Sequence, residues 1–244
     1  MRLRSRLRDC LCLNWAVPVS HLPAPPDPLR YELHRFEGMD YVLASVLLFR
    51  HEDVHPETLP FVRLSFPQLN LRLYVRDADD APAVLFRAIL VPAWVVPTAI
   101  WIGGQPARRA RFHHTGEPGT EGGSWEWEVH AGAGLHCVAT LGSPQTGAGP
   151  QIGTWEQTRD YVRMRNRGYA QSRGGLKRID TEQPAVAVSP VSVDVREAEL
   201  PRALLGAPSW PALHSAWVCP EMTMRFELVR EPAMALPRQA PVPG

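Results

Sequence analysis

The stretch Phe66–Arg76 (FPQLNLRLYVR) alternates almost without fault, and a period of two leaves few folds open to the chain around it. Leu69, Leu71, Leu73 and Val75 fall on one side, and Gln68, Asn70, Arg72, Tyr74 and Arg76 on the other. That is the pattern of a β-strand with one apolar face. The polar face carries amides, guanidiniums and a phenol but no carboxylate. Such a row is either a solvated sheet face or the hydrogen-bonding wall of a pocket. In a pocket, Arg72 needs an anion from the protein or from a ligand, because an unpaired buried charge costs about 3–5 kcal/mol. Gln68, Asn70 and Tyr74 would then complete the hydrogen bonds.

Strand patterns dominate the rest of the chain. An Asp-rich turn (DADDAP) joins the first stretch to Ala83–Val91, where Arg87 stands alone among apolar residues and joins the candidate wall. Cys10–Val17, Tyr31–Phe36 and Tyr41–Arg50 precede this hairpin, the last apolar enough to be buried on both faces. Arg108–His114, Ser124–His130 and Leu135–Leu141 read as a meander. Its inward face is Trp125, Trp127 and Val129, with Glu126 and Glu128 opposite Arg109 and Arg111. Further strands fall near Met164–Gln171, Leu176–Thr181, Ala185–Val195 and Met222–Leu228. Three short helices are predicted. One starts at Pro92, is kinked by Pro97 and stopped by Gly103–Gly104. One starts at the capping box Thr154–Gln157 (TWEQ), and one spans Glu197–Leu205 before Gly206. No internal repeat or long linker divides the chain. The expected architecture is one mainly β domain over residues 1–231 with a few short peripheral helices, followed by a Pro-rich, disordered tail over 232–244.

Several functions are disfavoured by what is missing. Net charge is +1 and no basic stripe is visible, so no nucleic-acid partner is expected. Of the 26 basic residues only Lys177 is a lysine. Schiff-base or pyridoxal chemistry would have to use it, in a hairpin-like, exposed setting (RGGLKR). There is no G-K-[ST] of a P-loop and no G-x-S-x-G elbow, and GAGPQIG has the wrong glycine spacing for a dinucleotide. No cofactor is predicted. His51-Glu52-Asp53-Val54-His55 fits the H-E-x-x-H pattern of zinc peptidases, which needs a helix. Here a strand-like run precedes it and Pro56 follows. On a strand the two imidazoles would stand about 13 Å apart, too far for one ion, so no metal is expected. Arg2, Arg4, Arg6 and Arg8 resemble the basic start of a signal peptide, but the apolar run Cys10–Val17 is short and contains Asn14, with no cleavage site after it. Arg87, Pro92 and Pro97 interrupt Ala83–Ile102, the longest apolar run, so no membrane partner is expected. Cys10, Cys12, Cys137 and Cys219 read as buried thiols of a reduced, cytoplasmic protein. No catalytic residue is nominated, and the oligomeric state is open.

The run FPQLNLRLYVRDADDAPAVLFRAIL, followed by the Trp-rich segment and GQPARRARF, resembles the bacterial YqjF-like family. CLCLNWAVPVSHLP, FRHEDVHPETLP and the region Trp155–Val195 agree more loosely. That family is distantly similar to acetoacetate decarboxylase, a β-barrel around a hydrophobic pocket in which a G-x-P-K-K-x-A lysine forms a Schiff base with the keto acid. The resemblance places this motif on Gly104–Ala110, so the lysine positions become Ala107 and Arg108. The acidic position of the strand motif is Gln68. What it implies is a small organic ligand such as a carboxylate, held in the barrel without Schiff-base decarboxylation, by Gln68, Asn70, Arg72, Tyr74, Arg87 and Arg108. A non-Schiff-base enzyme and a structural protein with a filled barrel are the alternatives.

Overall fold

The computed structural model describes residues 1–101, 106–118, 123–143, 154–163, 165–172, 175–182, 184 and 186–229. The strands, in chain order, begin with β1 (Arg2–Pro18), β2 (Arg30–Tyr31), β3 (His34–Phe36), β4 (Met39–Pro56), β5 (Leu64–Arg76) and β6 (Pro82–Val91). Helix α1 (Val96–Trp101) leads to β7 (Ala107–Arg109), β8 (Arg111–Thr115), β9 (Ser124–His130) and β10 (Gly134–Leu141). After α2 (Trp155–Arg163) come β11 (Arg167–Ser172), β12 (Gly175–Glu182), β13 (Ser189–Ala198), α3 (Glu199–Leu205) and β14 (Ser215–Leu228). The protein is thus mainly β, as expected. The predicted tail, the Gly103–Gly104 helix stop and Met164 lie outside the described residues.

Seven strands close a ring in the order β1-β4-β5-β6-β11-β12-β14, with β14 pairing back to β1. All of these pairings are antiparallel except β6 with β11. A second layer, β8-β9-β10-β13, joins the ring where β13 meets β14. Closure removes the open sheet edges that an isolated β-sheet would leave.

Strand parity sorts the side chains into two apolar bodies. Leu69, Leu71 and Leu73 of β5 point outward with Val42, Ala44, Val46 and Leu48 of β4, and pack against Trp125, Trp127 and Val129 of the second layer. The opposite parity of the same strands faces the lumen, where Leu43, Phe49, Tyr74, Val84 and Trp217 pack with Val162 of α2. Both faces of β4 and β5 are therefore covered, and the polar row of β5 points inward rather than to solvent.

Local chemistry explains the elements and some departures from expectation. The Asp-rich turn forms the predicted hairpin: Asp77 Oδ1 accepts from the backbone N–H of Asp79 and of Ala81, each at 3.0 Å. Thr154 and Gln157 make the reciprocal capping box, with Gln157 Oε1 accepting from Thr154 N at 2.8 Å. Pro97 does not kink a helix begun at Pro92. Residues 92–95 form a turn, and α1 begins at Val96, so Pro97 lies in the first turn where its missing N–H costs nothing. The predicted strand Arg108–His114 is split at Ala110, because β7 runs parallel to β6 in the ring while β8 joins the second layer. The β8–β9 register sets Glu128 opposite His113 and Glu126 opposite Thr115. Glu126 bonds His136 and Glu128 bonds His130 at 2.9 Å, in place of the expected Arg109 and Arg111.

Candidate functional site

Two cavities lie in the lumen, one towards α1 and one bordered by Val162 and Arg163 of α2. An outer cavity of about 190 Å³ lies beside α1, lined by Val62, Phe66, Ile89, Val95 and the polar side chains His51, Gln68 and Asn70. An inner cavity of about 80 Å³ is lined by Asn70, Arg72, Val84, Trp217 and Met222. Asn70, Phe86, Thr181 and Phe226 border both, so they form the passage between them.

Three of the six residues predicted from sequence meet there. Gln68 and Asn70 line the outer cavity, and Gln68 Nε2 donates to Asn70 Oδ1 at 2.8 Å. Arg72 lines the inner cavity. Its Nη2 reaches only the Cys12 thiol, at 3.7 Å, and its buried Nε has no hydrogen-bond partner among the described residues. Burial pushes the Cys12 thiol up to about 11, Arg72 opposing, and pushes the Tyr74 phenol up to about 12. Both are neutral near pH 7, and no carboxylate lies within 4 Å of Arg72 among the described residues. The guanidinium stays charged, with no anion among the described residues to pair it.

The other three lie elsewhere. Tyr74 points inward but is fully buried beneath the cavities. Its hydroxyl is 2.7 Å from Ser45 Oγ, which donates to Asn14 Oδ1 at 2.5 Å, and its ring packs on Tyr161. Arg87 borders neither cavity. The β5–β6 register runs from Leu71↔Ala88 directly to Arg72↔Phe86, so Arg87 is the extra residue of a β-bulge and loses the parity that alternation assigned to it. Arg108 is exposed on β7. Ala107, at the position the resemblance matches to the Schiff-base lysine, is a buried methyl packed with Ile89, Val91 and Val95. Lys177 is exposed on β12.

The H-E-x-x-H spacing presents His51 only as a metal ligand, and the structure gives it another place. Parity on β4 sets it on the lumenal side with Phe49, a signal present in the sequence. Its Nδ1 lies 2.7 Å from Ser5 Oγ, its ring hydrogen-bonds Gln68, and Phe49, Phe66 and Phe226 surround it. Burial pulls its pKa down to about 4, with Gln68 opposing. Ser5, His51, Gln68 and Asn70 thus form one hydrogen-bonded chain along the cavity wall. The unfolded chain binds this proton near pH 6.5, so stability is full above that and falls as pH drops towards 4. We expect thermal unfolding of His51→Asn, whose amide can still bond Ser5, to lack on the order of 2–3 kcal/mol of the wild-type loss between pH 6.5 and 4. Parallel slopes in the two proteins would refute this.

Gly168 of β11 sits behind the passage. A Cβ there would lie 2.5 Å from Cε2 of the Phe86 ring. Gly168→Ala is expected to push that ring towards the cavities and weaken any ligand that crosses the passage, by roughly tenfold at a strain of about 1–3 kcal/mol. Titration calorimetry of the variant checks this.

Solved structures that share this fold include acetoacetate decarboxylases and acetoacetate decarboxylase-like enzymes. An enduracididine biosynthesis enzyme, MppR, captured with the condensation product of pyruvate and imidazole 4-carboxaldehyde, matches with a TM-score of 0.56 and 12% identity, covering 93% of this chain and 87% of its own. Acetoacetate decarboxylase from Legionella pneumophila matches with a TM-score of 0.55 and 12% identity over 93% and 84%. An acetoacetate decarboxylase-like enzyme from Sphingomonas wittichii RW1 gives 0.53 and 14% over 92% and 89%. At such identities the likeness is one of fold. The chain itself belongs to the DUF2071 family, described as an uncharacterized conserved protein (COG2071), whose model matches residues 4–221. No curated protein matches it. No helix among the described residues is long and apolar enough to cross a membrane.

Proposed function

We propose that this protein binds a small organic carboxylate in the lumen of its ring, without a covalent adduct. The carrying observation is Arg72, a guanidinium facing the inner cavity with no protein anion beside it among the described residues. A ligand carboxylate offsets the cost of that buried charge and takes the donors that Cys12 leaves free. Asn70 and Gln68 supply amides at the next two positions outward on the same face. MppR, which shares the fold, has been captured with pyruvate, which supports a lumen suited to small carboxylates. Among the described residues no lysine lines either cavity, which supports a non-covalent mode. Four unpaired, buried cysteines accord with a reducing, cytoplasmic setting. The test is a thermal-shift and calorimetric screen of small carboxylates on the wild type and on Arg72→Met. Stabilisation by a carboxylate that Arg72→Met abolishes supports the reading, and a hit indifferent to Arg72 sinks it.

His51 favours a second reading, acid–base turnover of the bound molecule. A neutral imidazole on the cavity wall, oriented by Ser5, is equipped to take a proton. Exchange of ligand C–H protons into deuterated water, lost in His51→Asn, would separate turnover from binding alone.

A further inference from the structure

The outer cavity does not end at a polar rim. Val62 and Phe66 line it, and beside them Leu59, Phe61 and Val62 are 45%, 78% and 43% exposed on the segment after β4. Across the mouth, Val95, Thr98 and Ala99 line the cavity, while Trp94 and Ile100 on the same segment are 57% and 47% exposed. Trp94 packs edge-on against Phe66, with centroids 6.0 Å apart. Apolar side chains therefore run from Phe86 through the cavity, beside the polar His51, Gln68 and Asn70, to Phe66 and the exposed Trp94 packed on it. Exposed apolar clusters of this kind mark binding surfaces. Arg72, with Arg163 and Arg165, lines the opposite, inner end.

We infer that the ligand is an amphiphile, a monocarboxylic acid with an unbranched apolar chain. Its carboxylate lies inward at Arg72 and its tail leaves through the mouth onto Phe61, Trp94 and Ile100. This rests on the carboxylate reading above. From Arg72 to Gln68 is about 13 Å along β5, a span that roughly ten extended carbons cover. Chains beyond that length reach the exposed rim.

The experiment is a calorimetric series of straight-chain carboxylates from four to fourteen carbons, with matched alcohols, on the full chain. Affinity is expected to rise about three- to fourfold per methylene up to roughly ten carbons, since each buried CH₂ contributes a constant increment. The exposed double variant Phe61→Ser/Trp94→Ser is expected to bind short acids as the wild type does and the longest ones at least tenfold more weakly. Alcohols should bind far more weakly than acids of equal length. Affinity independent of chain length, with Arg72 still required, overturns the amphiphile and leaves the carboxylate reading standing. Loss of the Arg72 requirement overturns both. A dimer dissolved by the double variant, with long-chain affinity unchanged, assigns the rim to a second copy of the chain and likewise overturns the proposal.

Discussion

Arg72→Met is expected to make the ligand-free protein more stable and the binding site inert. Removing a guanidinium that no carboxylate among the described residues pairs, and that only the Cys12 thiol meets, relieves a desolvation cost. The gain should be about 1–3 kcal/mol, or roughly 3–10 °C in Tm for a chain of this size. Methionine fills most of the same volume and matches Met222 and Trp217 nearby. Carboxylate affinity should fall by roughly 100-fold or more, as expected when one half of a buried charge pair is removed. Thermal denaturation and titration of the same preparation read both effects. A variant that is destabilised while binding is unchanged would mean that Arg72 is a packing residue. The opposite signs of the two effects are the useful part, since a residue kept only for the fold would not leave the protein more stable when lost.

The largest loss of stability is expected at Asp77. Its carboxylate is buried, and burial alone would push its pKa up. Hydrogen bonds from Arg167, from the backbone of Ala81 and from the Tyr169 hydroxyl at 3.1 Å outweigh that and hold it below its usual value. Asp77 therefore ties the β5–β6 turn to β11, beside the parallel seam that completes the ring. Asp77→Ala takes the acceptor from Tyr169 and leaves Arg167 only Asp79, at 3.7 Å, and should cost about 3–5 kcal/mol, a fall of roughly 6–20 °C in Tm. Because the folded pKa is depressed, the contribution of Asp77 is present above about pH 4 and is lost as the pH falls through its folded value. Asp77→Asn should retain the turn and lose part of the effect. Neither change touches the cavities, so carboxylate affinity measured well below the midpoint should stay within twofold. Denaturant titration of both variants checks the ranking.

Much of the fold could be read from residue order, and the failures have physical causes. Alternation in Gln68–Val75 located the strand, and its inward polar face followed once both sides proved covered. The capping box at Thr154 and the inward Trp125 and Trp127 were legible for the same reason: short-range chemistry decides them. Arg87 was misplaced because one inserted residue reverses every later parity, and a bulge leaves no local mark in composition. Arg2, Arg4, Arg6 and Arg8 resembled the start of a signal peptide. They form the outer side of β1, where Arg6 and Arg8 pair with Glu52 and Glu221. The intervening Leu3, Ser5 and Leu7 supplied the alternation that could have shown it. His51 was legible by parity with Phe49, but the H-E-x-x-H spacing drew attention to metal instead of to the side of the strand. Tyr74 had the right direction, and only depth, which spacing along one strand does not contain, set it below the cavities.

The pairing of β1 with β14, from Arg2↔Glu227 to Asn14↔Ser215, gives the lumen a place in time as well as in space. Leu3 comes from the first strand of the outer cavity wall, and Phe226 and Leu228 from the last. Part of the wall is therefore absent until contacts more than two hundred residues apart have formed, the kind of topology that folds slowly. Opening that one seam would take Leu3 from one side of the cavity wall and Phe226 and Leu228 from the other. A molecule held across it would act as a latch, lengthening the lifetime of the closed state by slowing its opening, so that occupancy would be recorded in how long the protein resists a protease as well as in how strongly it binds.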